Sequence, residues 1–348
     1  MNVSPLRPAR NASTAAAARS VTLTGIAARL CPVARGSVTM RSSISFAALL
    51  LVAVLSASAS GSDPARAPAA PADASPIVAF CSIEPQRFLI ERVGGPAVTV
   101  NVLIGPGQSP HTFEPTPRQM SSLSEASVYF AVGLPFESTV LGSVLDMNAG
   151  LLVVDTADGV PRRRVEEAHH HHDADRERVE GLPDPHVWLN PRFAALMARS
   201  VCDALKELDV AHADEFELNL SALLGDLDEL DAEIAAALAP LRGESVFVFH
   251  PAFGYFTDAY GLKQVPVETG GMEPGARELV RLIERATVEG VRVVFVQPQF
   301  SSRTASAIAA EIDGAVVAID PLAGDYLENL RRMAGEVRAA LEEEHTSE

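Results

Sequence analysis

The sequence predicts an α/β fold of two lobes, each a parallel sheet built from βα units, joined by one long backbone helix. Three observations predict it. Short runs rich in β-branched and aromatic residues alternate with segments of helical periodicity, which is the mark of βαβ units. The alternation stops near residue 212, gives way to an amphipathic stretch reaching about 241, and resumes after Arg242-Gly243. The 348 residues are 47% apolar and 21% charged, enough for about two domains and too apolar for wholesale disorder.

The first segment is not part of that fold. Arginines at 7, 10, 19, 29, 35 and 41 precede the first acid, Asp63. Met40-Arg41 leads into the apolar run Phe46–Leu55, and Ala57-Ser-Ala59 supplies small residues in an A-x-A arrangement. A basic start, about ten apolar residues and a small-residue site make a secretory signal peptide cleaved near Ala59. The run is too short for a membrane span of about 20 residues. Met40 reads as the true start, with 1–61 as extension plus signal peptide and 62–75 as a disordered linker. The apolar run carries no lipid-acceptor Cys, so no lipid anchor is expected. The expected location is exported, in the periplasm.

The formal charge is −17 over the whole chain. From Ser42 onward, 22 basic residues face 45 acidic ones, a net of −23. Nucleic-acid binding and polybasic membrane attachment are excluded, since both need a basic footprint. Only Cys81 and Cys202 remain after cleavage, both in apolar surroundings, and they read as free thiols.

The first lobe spans 76–210. Strands are expected at 77–83, 98–104, 128–132 and 151–155. Helical segments are expected around Phe88, Leu89 and Val93, at 117–126, and ahead of residue 151. Residues 161–183 interrupt the pattern with charge and four consecutive histidines. Phe193, Leu196, Met197, Val201, Leu205 and Leu208 then keep 3.6-residue spacing. The linking helix falls within 211–242, roughly 45 Å at 1.5 Å per residue. The second lobe, 243–348, carries strands at 245–249, 293–296 and 315–319, and helices near 274–288, 302–312 and 324–343.

The histidines carry the chemistry. His111 follows the second strand, His186 precedes a helix in Asp184-Pro-His-Val-Trp, His250 ends a strand, and Asp320 ends another. In open α/β sheets ligands sit beyond the carboxyl ends of the strands. Each lobe contributes two of these residues, so a site in the cleft between the lobes is expected. Imidazole nitrogens with one carboxylate suit a borderline divalent cation, above all zinc in a tetrahedral shell, while manganese favours more oxygen.

From about 76 to 343 the chain resembles the zinc and manganese solute-binding proteins of bacterial ABC importers, the ZnuA/TroA-like family. The resemblance rests on Gly107-Gln-Ser-Pro-His-Thr-Phe-Glu-Pro-Thr-Pro117, Val132-Gly-Leu-Pro-Phe-Glu137, Asp184-Pro-His-Val-Trp-Leu-Asn-Pro191, His250-Pro-Ala-Phe-Gly-Tyr-Phe256, Phe295-Val-Gln-Pro-Gln-Phe-Ser301 and Ile319-Asp-Pro-Leu322. It implies a TroA-like periplasmic metal-binding fold with little hinge motion. It also implies metal ligation by His111, His186, His250 and Asp320, and a membrane permease of an ABC transporter as partner. His at the third position accompanies zinc in this family, whereas Glu there accompanies manganese. Pro110 stands where some zinc members have a Glu, which favours Asp320 or a water as fourth ligand. Gln297 stands where Glu is common. His169, His170, His171 and His172, with acids nearby, resemble the auxiliary metal loop of zinc-specific members.

The expected function is capture of Zn2+ by a monomer and delivery to the permease for zinc uptake, with no catalysis. The alternatives are a manganese receptor and a secreted zinc metallohydrolase, the latter requiring Asp320 turned away and a general base beside the metal.

Overall fold

The computed structural model describes residues 75–165, 183–268 and 274–346. The signal segment, the linker and His169–His172 lie outside the described residues.

The first lobe runs β1 (Ile77–Cys81), α1 (Glu84–Gly94), β2 (Val98–Val102), α2 (Pro117–Leu123), β3 (Val128–Ala131), α3 (Glu137–Met147) and β4 (Leu152–Asp155). The sheet order is β2-β1-β3-β4, and every pairing is parallel. Val128-Tyr-Phe-Ala131 is buried at all four positions, as befits a central strand covered on both faces. Cys81 and Cys202 are free and buried.

Two long helices follow, α4 (Pro191–Leu208) and α5 (Ala213–Leu238). Asn190 caps α4 by accepting from the Arg192 amide, and Pro191 occupies its first turn, where a missing N–H costs nothing. At 26 residues, α5 is about 39 Å long. Its buried stripe is Phe216, Leu220, Leu223, Leu227, Leu230, Ile234 and Leu238, spaced by three or four residues throughout.

The second lobe runs β5 (Ser245–Val248), α6 (Gly254–Tyr260), β6 (Lys263–Pro266), α7 (Ala276–Val288), β7 (Val293–Val296), α8 (Arg303–Glu311), β8 (Ala315–Ala318) and α9 (Tyr326–Thr346). Its sheet, β6-β5-β7-β8, is again parallel throughout and repeats the strand order of the first. Strand alternation divides its core. Val246 and Val248 join the large cluster shared with the linking helix, while Phe247 and Phe249 enter a smaller one with Val265, Leu282 and Ile308.

Two elements escape the sequence reading. The strand β6 reads Lys-Gln-Val-Pro, too short and polar to register as a β-rich run, and α6 begins on a glycine and lasts seven residues. The last helix also does more than close the second lobe. It packs along α5, and Tyr326 stacks on Phe88 of α1 with ring centroids 5.5 Å apart. The linking helix is thus flanked by α1 and α4 of the first lobe and by the end of the chain.

Candidate metal centre

His250 is fixed at three points. Beyond β5, Phe249 still donates to the Phe295 carbonyl, so the strand geometry reaches the residue before His250. The buried Gln297 amide then clamps the His250 backbone, its Oε1 accepting from the His250 amide at 3.2 Å and its Nε2 donating to the His250 carbonyl at 2.8 Å. The ring nitrogen Nδ1 lies 3.0 Å from Oε1 of Glu268, itself buried. A carboxylate only accepts, so Nδ1 carries the hydrogen and the Nε2 lone pair is left for a metal.

His186 is held the same way from the other lobe. Both its backbone N–H and its Nδ1 bond Asp184 Oδ1, at 3.0 and 2.7 Å, and Asp184 is 1% exposed. Trp188 packs beside the ring at 5.3 Å between centroids. Its indole N–H donates to the Pro321 carbonyl at 2.7 Å, and the Tyr326 hydroxyl donates to the Trp188 carbonyl at 2.5 Å. These bonds pin the turn that presents His186 to the loop after β8.

His111 lies on the exposed loop that follows β2, ahead of α2. Its Nε2 sits 3.0 Å from His250 Nε2, and one ring nitrogen from each of His111, His186 and His250 falls within 4.8 Å of the others. A tetrahedral zinc with nitrogens at about 2.0–2.1 Å sets those nitrogens roughly 3.3 Å apart, so the three rings need only small adjustments. They line a cavity of about 20 Å³ with Pro110, Phe300 and Pro321. That is room for a single ion or water.

The electrostatics favour neutral rings. Burial lowers the His250 pKa below the usual imidazole value despite the opposing pull of Glu268. His111 is pushed down to about 4 by desolvation, then by the facing His250 and His186. Neutral imidazole is the metal-binding form.

Asp320 is not in this group. Its Oδ1 accepts from Gln299 Nε2 at 2.8 Å and from the Leu322 amide at 2.9 Å. It lines a neighbouring cavity of about 300 Å³ with Glu84 and the Gly105–Gly107 turn. Of the four expected ligands, three histidines converge and Asp320 lies beside them. The reason is local: the carboxylate closes its own turn at Pro321, a common use of Asp, and Gln299 engages the same oxygen. The auxiliary histidines 169–172 lie outside the described residues.

The sequence reading missed the supporting residues. Asp184 stood in a quoted motif and could have been found as a carboxylate two residues from a ligand candidate. Gln297 was read only as a departure from Glu. Glu268 had no local signal, because its role depends on β6 lying beside β5. Asn329 donates to the Asp320 carbonyl at 2.6 Å.

Comparison with known proteins gives a consistent answer. The family model described as zinc-uptake complex component A, periplasmic (ZnuA), matches residues 79–340. Zinc-binding protein AdcA of Streptococcus pyogenes serotype M3 is 26% identical over 238 residues, 65% of this chain and 46% of its own length. The chain thus spans about half the length of that relative. The high-affinity zinc uptake system protein ZnuA of Bacillus subtilis is 28% identical over 229 residues, 65% of this chain and 72% of its own length. Among solved structures, a crystal structure of ZnuA shares 38% identity, covers 76% of this chain and 99% of its own, and superposes with a TM-score of 0.71. A zinc-bound ZnuA deletion mutant shares 36% identity over 76% of this chain and 98% of its own, with a TM-score of 0.70. With three-quarters of its length matched, the chain belongs to the family of periplasmic zinc-uptake component A, ZnuA.

Proposed function

We propose that this chain is an exported solute-binding protein that captures Zn2+ between its lobes and delivers it to an ABC permease. The observation that carries the proposal is the convergence of His111, His186 and His250, two of them held by buried carboxylates at Nδ1 so that Nε2 faces the ion. Three imidazoles are a donor set for zinc rather than manganese. The fourth position then belongs to water or to Asp320 once Gln299 releases it.

The manganese reading would require oxygen donors at the ion, and the nearest carboxylates are engaged elsewhere: Asp184 and Glu268 by the histidines, Asp320 by Gln299 and Leu322. The hydrolase reading has an open fourth position, but among the described residues the carboxylates that could serve as its general base are engaged in the same way. No turnover is expected. The signal peptide ending near Ala59 and the auxiliary zinc role of His169–His172 belong to this proposal. Among the described residues no helix is long and apolar enough to cross a membrane.

Competition between zinc and manganese for the metal-stripped chain tests the reading. Zinc is expected to displace manganese, and His250→Ala to weaken zinc binding by orders of magnitude. A manganese preference, or unchanged zinc affinity in the variant, would overturn it.

A further inference from the structure

Arg163 lies outside the three-histidine shell, yet it meets that shell's support from several directions. Its carbonyl accepts from the Asp184 amide at 3.0 Å, and the neighbouring Arg164 and Pro183 form an antiparallel bridge. Its own amide donates to the Tyr255 hydroxyl at 3.0 Å, and that hydroxyl donates to the Asp184 carbonyl at 3.2 Å. The backbones on both sides of the metal-supporting Asp184 are therefore tied to an aromatic side chain of the other lobe.

The side chain makes the same crossing. The guanidinium carbon sits 5.8 Å from the centre of the Tyr255 ring, and Nη1 lies 3.3 Å from Asp258 Oδ2 on α6. It passes so close to Gly254 that a Cβ there would overlap the guanidinium. The missing side chain at the start of α6 leaves the guanidinium its path in this position. Along that path, Nε comes to 3.7 Å from Asp184 Oδ2. Asp184 Oδ1 is already occupied by the backbone and ring of His186, whereas Oδ2 is buried with no hydrogen bond among the described residues. A buried carboxylate oxygen without a hydrogen bond is costly unless a charge offsets it. The cation facing Oδ2 is Arg163.

We infer that Arg163 is a positioning residue for the metal site: it holds the Asp184 carboxylate, and through it the His186 ring, against the second lobe. The inference rests on His186 being a ligand. It makes the alignment of one ligand depend on contact between the lobes, because the same guanidinium that steadies Asp184 is seated on Tyr255, Gly254 and Asp258.

The test is a double-mutant cycle on the full chain, with zinc affinity read by chelator competition and Co2+ absorption read on the loaded protein. Arg163→Met and Asp184→Asn are each expected to weaken zinc about 10–100-fold, the usual effect of losing a supporting partner. The double variant is expected to bind no more weakly than Asp184→Asn alone, because the arginine acts through that carboxylate. Arg163→Met should also alter the Co2+ ligand-field bands, and Arg163→Lys should restore part of the affinity. Unchanged zinc affinity in Arg163→Met, full additivity in the double variant, or weakened binding with an unaltered Co2+ spectrum would each overturn the inference. If His186→Ala itself binds zinc normally, the three-histidine reading fails instead, so the two failures are distinguishable.

Discussion

Replacing Glu268 by Leu isolates what a buried support contributes to a metal ligand. The substitution removes the acceptor 3.0 Å from His250 Nδ1. It keeps the backbone bond from the residue 268 amide to the Phe249 carbonyl and the Gln297 clamp on the His250 backbone. Only the hold on the ring is lost. An unsatisfied buried donor costs about 1–3 kcal/mol, which converts to roughly 5–150-fold in affinity. The usual penalty for losing a supporting partner of a metal ligand, about 10–100-fold, falls within that range by an independent route. Glu268→Gln keeps an acceptor but loses the charge, and charge-assisted bonds are about twice as strong as neutral ones, so it should fall between wild type and Leu. The assay is competition between the metal-stripped protein and a chromophoric zinc chelator at neutral pH, with thermal unfolding as a check on the fold. A folded Glu268→Leu variant with wild-type zinc affinity would refute the reasoning, since His250 would then need no orientation from Nδ1.

Other expectations follow from the same geometry. Burial lowers the His250 pKa, and desolvation with its neighbours lowers that of His111, whereas both titrate near 6.5 when unfolded. Their contribution to zinc-free stability is therefore complete above about pH 6.5 and erodes as the pH falls below it. Unfolding midpoints that rise on acidification would contradict this. Zinc should also persist at the primary site, where His111 and His250 resist protonation, to lower pH than any zinc held by the loop at 169–172; counting the zinc retained as the pH is lowered checks it. Tyr326→Phe removes the donor to the Trp188 carbonyl, so the unfolding midpoint should drop by several degrees for the about 1–3 kcal/mol lost, and zinc affinity should fall as the turn that presents His186 loosens. Gln299→Ala frees the Asp320 carboxylate and should narrow the zinc-over-manganese preference by about tenfold, the worth of one charged hydrogen bond, as read by competition titration.

Much of the fold was legible because the central strands are continuous apolar runs and the linking helix keeps a long, regular stripe. Val128-Tyr-Phe-Ala and Val293-Val-Phe-Val are buried at every position, and such strands announce themselves. The strand Lys263–Pro266 did not, because its place in the sheet comes from pairing with Ser245–Val248 rather than from its own composition. The site divides in the same way. His111, His186 and His250 were visible because each stands near the boundary of a readable element. The position of Asp320 was readable, but its orientation was not, since that depends on Gln299 and the amide of Leu322. Glu268 and Arg163 act on their histidines across the chain, one over 18 residues and the other through Asp184, and no local spacing reveals either link.

Three histidines from the two lobes form the proposed zinc shell. X-ray absorption on the zinc-loaded protein tests it most directly, by counting and ranging the atoms around the metal. Three imidazole nitrogens at about 2.0–2.1 Å and a single oxygen completing the shell are expected. A shell with two or fewer imidazoles, or one dominated by carboxylate oxygen, would contradict it.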